Sequence, residues 1–139
     1  MTVAAALCSL VACSEEQPRL AVAADSAVFG RGSVSAPAPM ANVTFAVSNR
    51  AGPTGFVPAC GQKPTVTVEQ AVQGGWTQYA GGYCLTIVPE APLEVFGGTR
   101  LAGNVWIADP GRYRLRLDYA TGADFAKTFS TVSAPFEVR

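Results

Sequence analysis

No histidine occurs anywhere in this chain. Its absence removes the commonest general base and the commonest metal ligand, and with them every catalytic dyad or triad built on imidazole. Net charge is lacking too: ten Lys and Arg balance ten Asp and Glu. Sequence-independent nucleic-acid binding needs a concentrated positive field, so DNA and RNA are not expected partners. No G-x-S-x-G nucleophile elbow occurs among the serines. Asp109, Asp118 and Asp124 lack the tight spacing of a calcium loop, and no C-x-x-C redox pair is present. No window sustains a helical period of 3.6. We therefore expect neither an enzyme nor a helical protein, and no metal or cofactor.

Of the apolar stretches, the one at the start ends on a cysteine. Thr2 to Ala12 is uncharged and mostly apolar. It is far short of the roughly 20 residues of a spanning helix, but suits the apolar region of an export signal. The positive segment that usually precedes such a region is missing, since Met1 is followed by Thr2 and Val3. Leu10-Val11-Ala12-Cys13 resembles a bacterial lipobox, in which a small residue lets a peptidase cut before a cysteine whose thiol carries diacylglycerol. Two or three acyl chains anchor durably where one does not. Cys8 follows the bulkier Leu7 and fits less well. We expect residues 1–12 to be a lipoprotein-type signal segment, 13–19 the lipidated cysteine with a polar tether, and 20–139 the folded domain. That places the protein in the bacterial envelope, anchored by lipid only. Ser14 in place of aspartate favours the outer membrane or cell surface. The alternatives are a plainly secreted form and an ordinary buried or paired Cys13.

Beyond Leu20 short alternating runs recur. In "NVTFAV", Val43, Phe45 and Val47 share one face; in "TVTVEQ", Val66 and Val68 oppose Thr65, Thr67 and Glu69. "YCLTIV", Tyr83 to Val88, suits burial on both faces. "YRLRLDY" puts Tyr113, Leu115, Leu117 and Tyr119 inward and Arg114, Arg116 and Asp118 outward. "PFEVR" closes the chain. Glycine pairs and Asp109-Pro110-Gly111 punctuate the runs as turns do, and the Pro/Ala-rich Ser33–Ala41 reads as an edge or loop. Seven or eight short strands at this spacing predict an antiparallel β-sandwich. Asp109-Pro110-Gly111-Arg112-Tyr113 matches the lead-in of a tyrosine corner, where a strand tyrosine bonds back to the preceding backbone. Leu115 stands where antibody domains have cysteine, so their intersheet disulfide is excluded.

If Cys8 leaves with the leader and Cys13 carries lipid, Cys60 and Cys84 remain, and an exported chain is expected to join them. Closing that loop stabilises by roughly 3 kcal/mol in the chain-entropy model. Between them lies "GGWTQYAGGYC". Trp76 and Tyr83 are expected to pack on the bridge; the other reading makes Trp76, Tyr79 and Tyr83 a contact surface among flexible turns. Arg112, Arg114 and Arg116 form a basic row on one strand. Such a row can hold an anion, but more often pairs with acids on a neighbouring strand, here Glu90, Glu94 or Glu137. The sequon Asn42-Val43-Thr44 carries no weight in a bacterial-looking chain.

The order "F-V-S-N"-like strand end, cysteine, "V-E-Q…G-G-W", cysteine, "P-G-R-Y-R-L-R" and "S-A-P-F-E-V" resembles a widespread group of bacterial immunoglobulin-like domains of exported proteins and lipoproteins. It is distantly similar to the bacterial intracellular proteinase inhibitors. The resemblance spans about Val43 to Val138. It implies an immunoglobulin-like sandwich and no catalytic residues. "LEVFGGTRLAGNVWI" is longer and richer in glycine than the segment usual at that place. The function expected is a non-enzymatic, envelope-anchored interaction or structural domain presenting loops to a protein partner. Protease inhibition through a loop and carbohydrate binding through exposed aromatics are the alternatives. The partner's identity and the oligomeric state are not readable from the residues.

Overall fold

Alternation of apolar and polar side chains drives this chain into strands, because a period of two puts every second residue on one face. The computed structural model describes residues 16–32, 39–81 and 89–139. The expected leader with Cys13, most of the Pro/Ala-rich segment, and the strand expected at Tyr83–Val88 with Cys84 lie outside the described residues. Those described form strands and turns, with no helix. In chain order the strands are β1 (Leu20–Ala24), β2 (Val28–Phe29), β3 (Ala41–Asn49), β4 (Gly55–Val57), β5 (Ala59–Cys60), β6 (Lys63–Pro64), β7 (Thr67–Val72), β8 (Gly75–Gly81), β9 (Leu93–Val95), β10 (Arg100–Ile107), β11 (Gly111–Ala120), β12 (Thr128–Val132) and β13 (Phe136–Val138).

They form three sheets. β3 lies between β1 and β10, antiparallel to both. β11 is the hub of the largest sheet. On one edge it pairs with β12 through Arg116–Ala120 and with β13 through Gly111–Tyr113. On the other it pairs with β7 through Tyr113–Arg116 and meets β4 at Ala120. β8 continues from β7, β9 from β4, and β2 runs parallel to β13. β5 and β6 make a small hairpin of their own.

β11 has the alternation read from its sequence: Tyr113, Leu115, Leu117 and Tyr119 are buried, while Arg112 and Asp118 are exposed. β3 buries Val43, Phe45 and Val47 likewise. Side chains from β1, β3 and β10 and from the β11-centred sheet join one hydrophobic cluster. Burying each such aliphatic or aromatic group removes it from water at a gain of about 1.5–3 kcal/mol.

The strands outnumber the seven or eight expected because several are interrupted. The edge of β11 shows why. Between β12 and β13, Ser133 takes both backbone groups of Leu115: its N–H donates to the Leu115 carbonyl at 2.8 Å, and its Oγ accepts from the Leu115 N–H at 2.9 Å. Pro135 then follows, with no N–H to continue a ladder. The glycine-rich "LEVFGGTRLAGNVWI" is also more regular than its composition suggests. It forms β9, a turn, and the 8-residue β10, paired along its whole length with β3 from Arg100↔Ser48 to Ile107↔Ala41. The expected tether is docked at its end, where Pro18 is buried and its carbonyl accepts from Tyr119 Oη at 3.3 Å.

Two side chains hold this arrangement together locally. Asn49, 1% exposed, donates through Nδ2 to the carbonyls of Pro53 and Val95, both at 2.9 Å. It thereby ties the turn after β3 to β9. Phe45 lays its ring across Gly103, its cross-strand partner. A Cβ at position 103 would lie 2.5 Å from Phe45 Cζ. Gly103→Ala should therefore force this buried ring aside and cost about 1–3 kcal/mol of stability, read as a lowered urea midpoint with an unchanged slope. An unaltered midpoint would mean that the ring does not fill that space.

Candidate functional site

Three groups of polar and aromatic residues gather the chemistry of the described surface. The first is the arginine row. β7 runs antiparallel beside β11 so that Arg114 faces Glu69. Arg114 Nε donates to Glu69 Oε1 at 2.7 Å, and Arg116 Nη1 to Glu69 Oε2 at 3.2 Å. Arg116 Nε also lies 3.4 Å from Asp118 Oδ1, an ion pair without hydrogen-bond geometry. The Arg114 guanidinium stacks over Trp76, 4.6 Å from the ring centroid. The partner of this row is thus Glu69, not Glu90, Glu94 or Glu137. Glu137 does face Arg112 across β13, but its carboxylate is held by Arg139 at 2.8 Å. Two of the three guanidinium groups are neutralised in place, which leaves Arg112 exposed at the end of the row. Arg114 and Arg116 thus form a charge ladder around Glu69.

The second group is the corner before β11. Tyr113 Oη donates to the carbonyl oxygen of Asp109 at 2.7 Å. Tyr79 joins it because β8 carries one extra residue there: Val68 pairs with Ala80 but Glu69 with Gln78. The bulge at Tyr79 re-aims that side chain. Its Oη donates to Asp109 Oδ2 at 2.8 Å, and its ring meets Tyr113 edge-on, centroids 5.2 Å apart. Burial, then the neighbouring Tyr79 and the Asp109 carboxylate, push the Tyr113 hydroxyl up to about 12. Tyr79 is thereby held half-buried within the fold.

The Trp76 ring contacts Arg114; the bridge on which it is expected to pack would involve Cys84, outside the described residues. The tryptophan that shares a cavity wall with Cys60 is Trp106. Cys60 is disulfide-bonded, and its partner is not among the described residues. Cys84, the partner expected, and Tyr83 lie outside them, as does Cys13.

The third group escaped the sequence reading. On the outer face of β10, Trp106 is 49% exposed and stands directly across from Asn42 on β3. Asn104, two positions earlier on the same face, donates through Nδ2 to Asn42 Oδ1 at 3.1 Å and accepts from Lys63 Nζ at 3.3 Å. The signal was present in "NVWI", where Asn104 and Trp106 alternate with Val105 and Ile107. A glycine-rich context disguised it. Among the described residues Trp106 is the large exposed aromatic on a strand face.

Among the described residues no three His, Cys, Asp or Glu side chains gather as a metal set; Asp109, Asp118 and Asp124 are engaged separately with Tyr79, Arg116 and the Ala126 N–H. No described helix is long and apolar enough to cross a membrane.

Tyr113→Phe should lose one hydrogen bond, about 0.5–1.5 kcal/mol near neutral pH. The wild type should also lose stability as pH rises from the unfolded tyrosine value of 10 toward the folded value of about 12, because only the unfolded chain releases that proton in this window. The variant should lack that part of the alkaline loss; equal pH slopes in equilibrium denaturation would refute the linkage. Glu69→Ala should cost about 1–3 kcal/mol by leaving two guanidinium groups without their shared acceptor, while Asp118→Ala should cost under about 1 kcal/mol, both read from urea midpoints.

No protein-family model matches this chain, and a search of curated proteins returns no match.

Proposed function

We propose that this chain is a non-enzymatic binding domain of the bacterial envelope, built on an immunoglobulin-like β-sandwich and tethered through lipid on Cys13. The observation that carries the binding reading is Trp106, half-exposed on a strand face among hydrogen-bonding side chains. A flat indole set among hydrogen-bonding side chains offers a ligand apolar area and polar contacts together. The scaffold reading draws on the single cluster shared by the two larger sheets and on the Tyr113–Asp109 back-bond. Both are features that the resemblance to exported immunoglobulin-like domains implies, and fold likeness by itself assigns no activity. The Cys60–Cys84 pairing belongs to the same proposal.

The binding surface differs from the loops first expected. Tyr79 and Trp76 are engaged with Asp109 and Arg114, so the sheet face around Trp106 takes their place. That favours the carbohydrate-binding alternative over protease inhibition, which needs an extended loop. The anchor also acquires a geometry. From Cys13 to the buried Pro18 an extended chain spans at most about 17 Å, so lipid on Cys13 would hold the domain close to the bilayer.

Expressed behind a complete export signal, the wild type should incorporate radiolabelled palmitate and sediment with membranes, and Cys13→Ser should do neither. A wild type that takes up no label would remove the anchor. Envelope extract passed over immobilised protein should leave a component on the wild type that Trp106→Ala does not retain. Identical retention by both would remove Trp106 from the binding surface.

A further inference from the structure

We propose that the outer face of β10 binds an acidic saccharide through Trp106, Asn42, Asn104 and Lys63; this deepens the reading of the chain as a binding domain and rests on it. The four residues come from three elements that the fold brings together: β10, its partner β3, and the β5–β6 hairpin, whose Lys63 reaches Asn104. Beside Trp106 the face is shallow, a depression of about 430 Å³ lined by Asn42, Thr44, Lys63, Ala102, Gly103 and Asn104. Small side chains keep it flat enough for a ring to lie on.

Hydrogen bonding there is directional and unfinished. Lys63 donates to Asn104, and Asn104 donates to Asn42. The chain ends at the Asn42 amide nitrogen, which has no partner among the described residues and keeps both of its protons to donate. Lys63 makes no ion pair among the described residues, where its ammonium bonds the Asn104 amide. The lining carries that positive charge and no negative one. The nearest matched chemistry is an anionic group on Lys63 with hydroxyls on the two amides.

β10 is the outer strand of its sheet, but the four side chains stand on its face and not along its backbone edge, which favours a sugar over a peptide. A peptide recognised by a sheet adds as a strand and draws its affinity from main-chain hydrogen bonds at an edge. A strand face offers only side chains. Its ligand must bring its own polar groups and a flat apolar surface for the indole. A pyranose ring has both, with axial C–H groups on one face and hydroxyls around the rim, and a carboxylate or phosphate substituent supplies the anion. An aromatic platform with a few placed polar groups is the usual make-up of a small-molecule site.

The full-length chain, produced without lipid and carrying Trp76→Phe so that Trp106 is its sole indole, should show a saturable change in emission with trigalacturonate. Its fully methyl-esterified, neutral form should bind about ten-fold more weakly or worse, a difference of about 1.4 kcal/mol. Lys63→Gln should erase that preference, and added salt should weaken trigalacturonate alone. By calorimetry Trp106→Ala, an exposed position, should lose at least about ten-fold in affinity. The proposal is overturned if the folded protein gives no saturable response up to about 10 mM trigalacturonate, if Trp106→Ala binds as tightly as its parent, or if a pentaglutamate peptide binds as tightly as the sugar. The titration needs no lipid. Failure here leaves the anchored-domain reading standing, and failure of palmitate labelling leaves this one standing.

Discussion

Strand β11 must pair its backbone groups on both edges, and most of the described structure is arranged around that requirement. Buried N–H and C=O groups without partners cost too much to leave open. A ten-residue strand through the core therefore needs partners on both edges. It finds them piecewise: β12, then Ser133, then β13 on one side, and on the other β7 along Tyr113–Arg116 and β4 at Ala120. Ser133 matters most, because it stands where the chain leaves one strand for the next. Its hydroxyl replaces a carbonyl as acceptor for Leu115, so the core-facing leucine keeps a paired N–H while the neighbouring strand breaks.

The same strand imposes the charge ladder. Alternation that turns Leu115 and Leu117 inward necessarily turns Arg114 and Arg116 outward, two positions apart on one face. Two such cations repel unless an anion sits between them. Glu69, a residue 7% exposed, does so, giving one carboxylate oxygen to each guanidinium. Burying that carboxylate costs free energy that two charge-assisted bonds offset, and the Trp76 ring adds a further attraction of about 0.5–2 kcal/mol to Arg114. The ladder thus settles the position of the β7–β8 hairpin against β11, since a slip by one residue would turn Glu69 away from both arginines.

This is also where reading residues in order stops being sufficient. The all-β character, the inward faces of β3 and β11 and the residues of the Asp109–Tyr113 turn were legible, because each depends on a local pattern of two to five residues. The partner of the arginines was not. Glu69 and Arg114 lie 45 positions apart, and the pairing of β7 with β11 is a property of the topology. Tyr79 escaped for a related reason: one extra residue in β8 reverses the side on which a side chain emerges, and no local residue marks the bulge. Trp106 was hidden by composition, since glycines before it suggested a loop. Gly103 instead serves the strand by leaving room for the Phe45 ring.

The regularity of β10 bears on where such a domain can bind. Surfaces on glycine-rich turns must be ordered when a partner arrives, and each immobilised group lowers the affinity left over. Trp106 stands on a strand whose eight residues are all paired with β3, and the amides beside it already hold one another. A ligand bound there, as proposed, would meet a surface organised before it comes. The glycine that would weaken a strand elsewhere is compensated inside by Phe45, so the inner face contributes packing while the outer face stays free for contact. The buried ring and the exposed indole are thus two consequences of one strand pairing, and the stability of the first sets how firmly the second is presented.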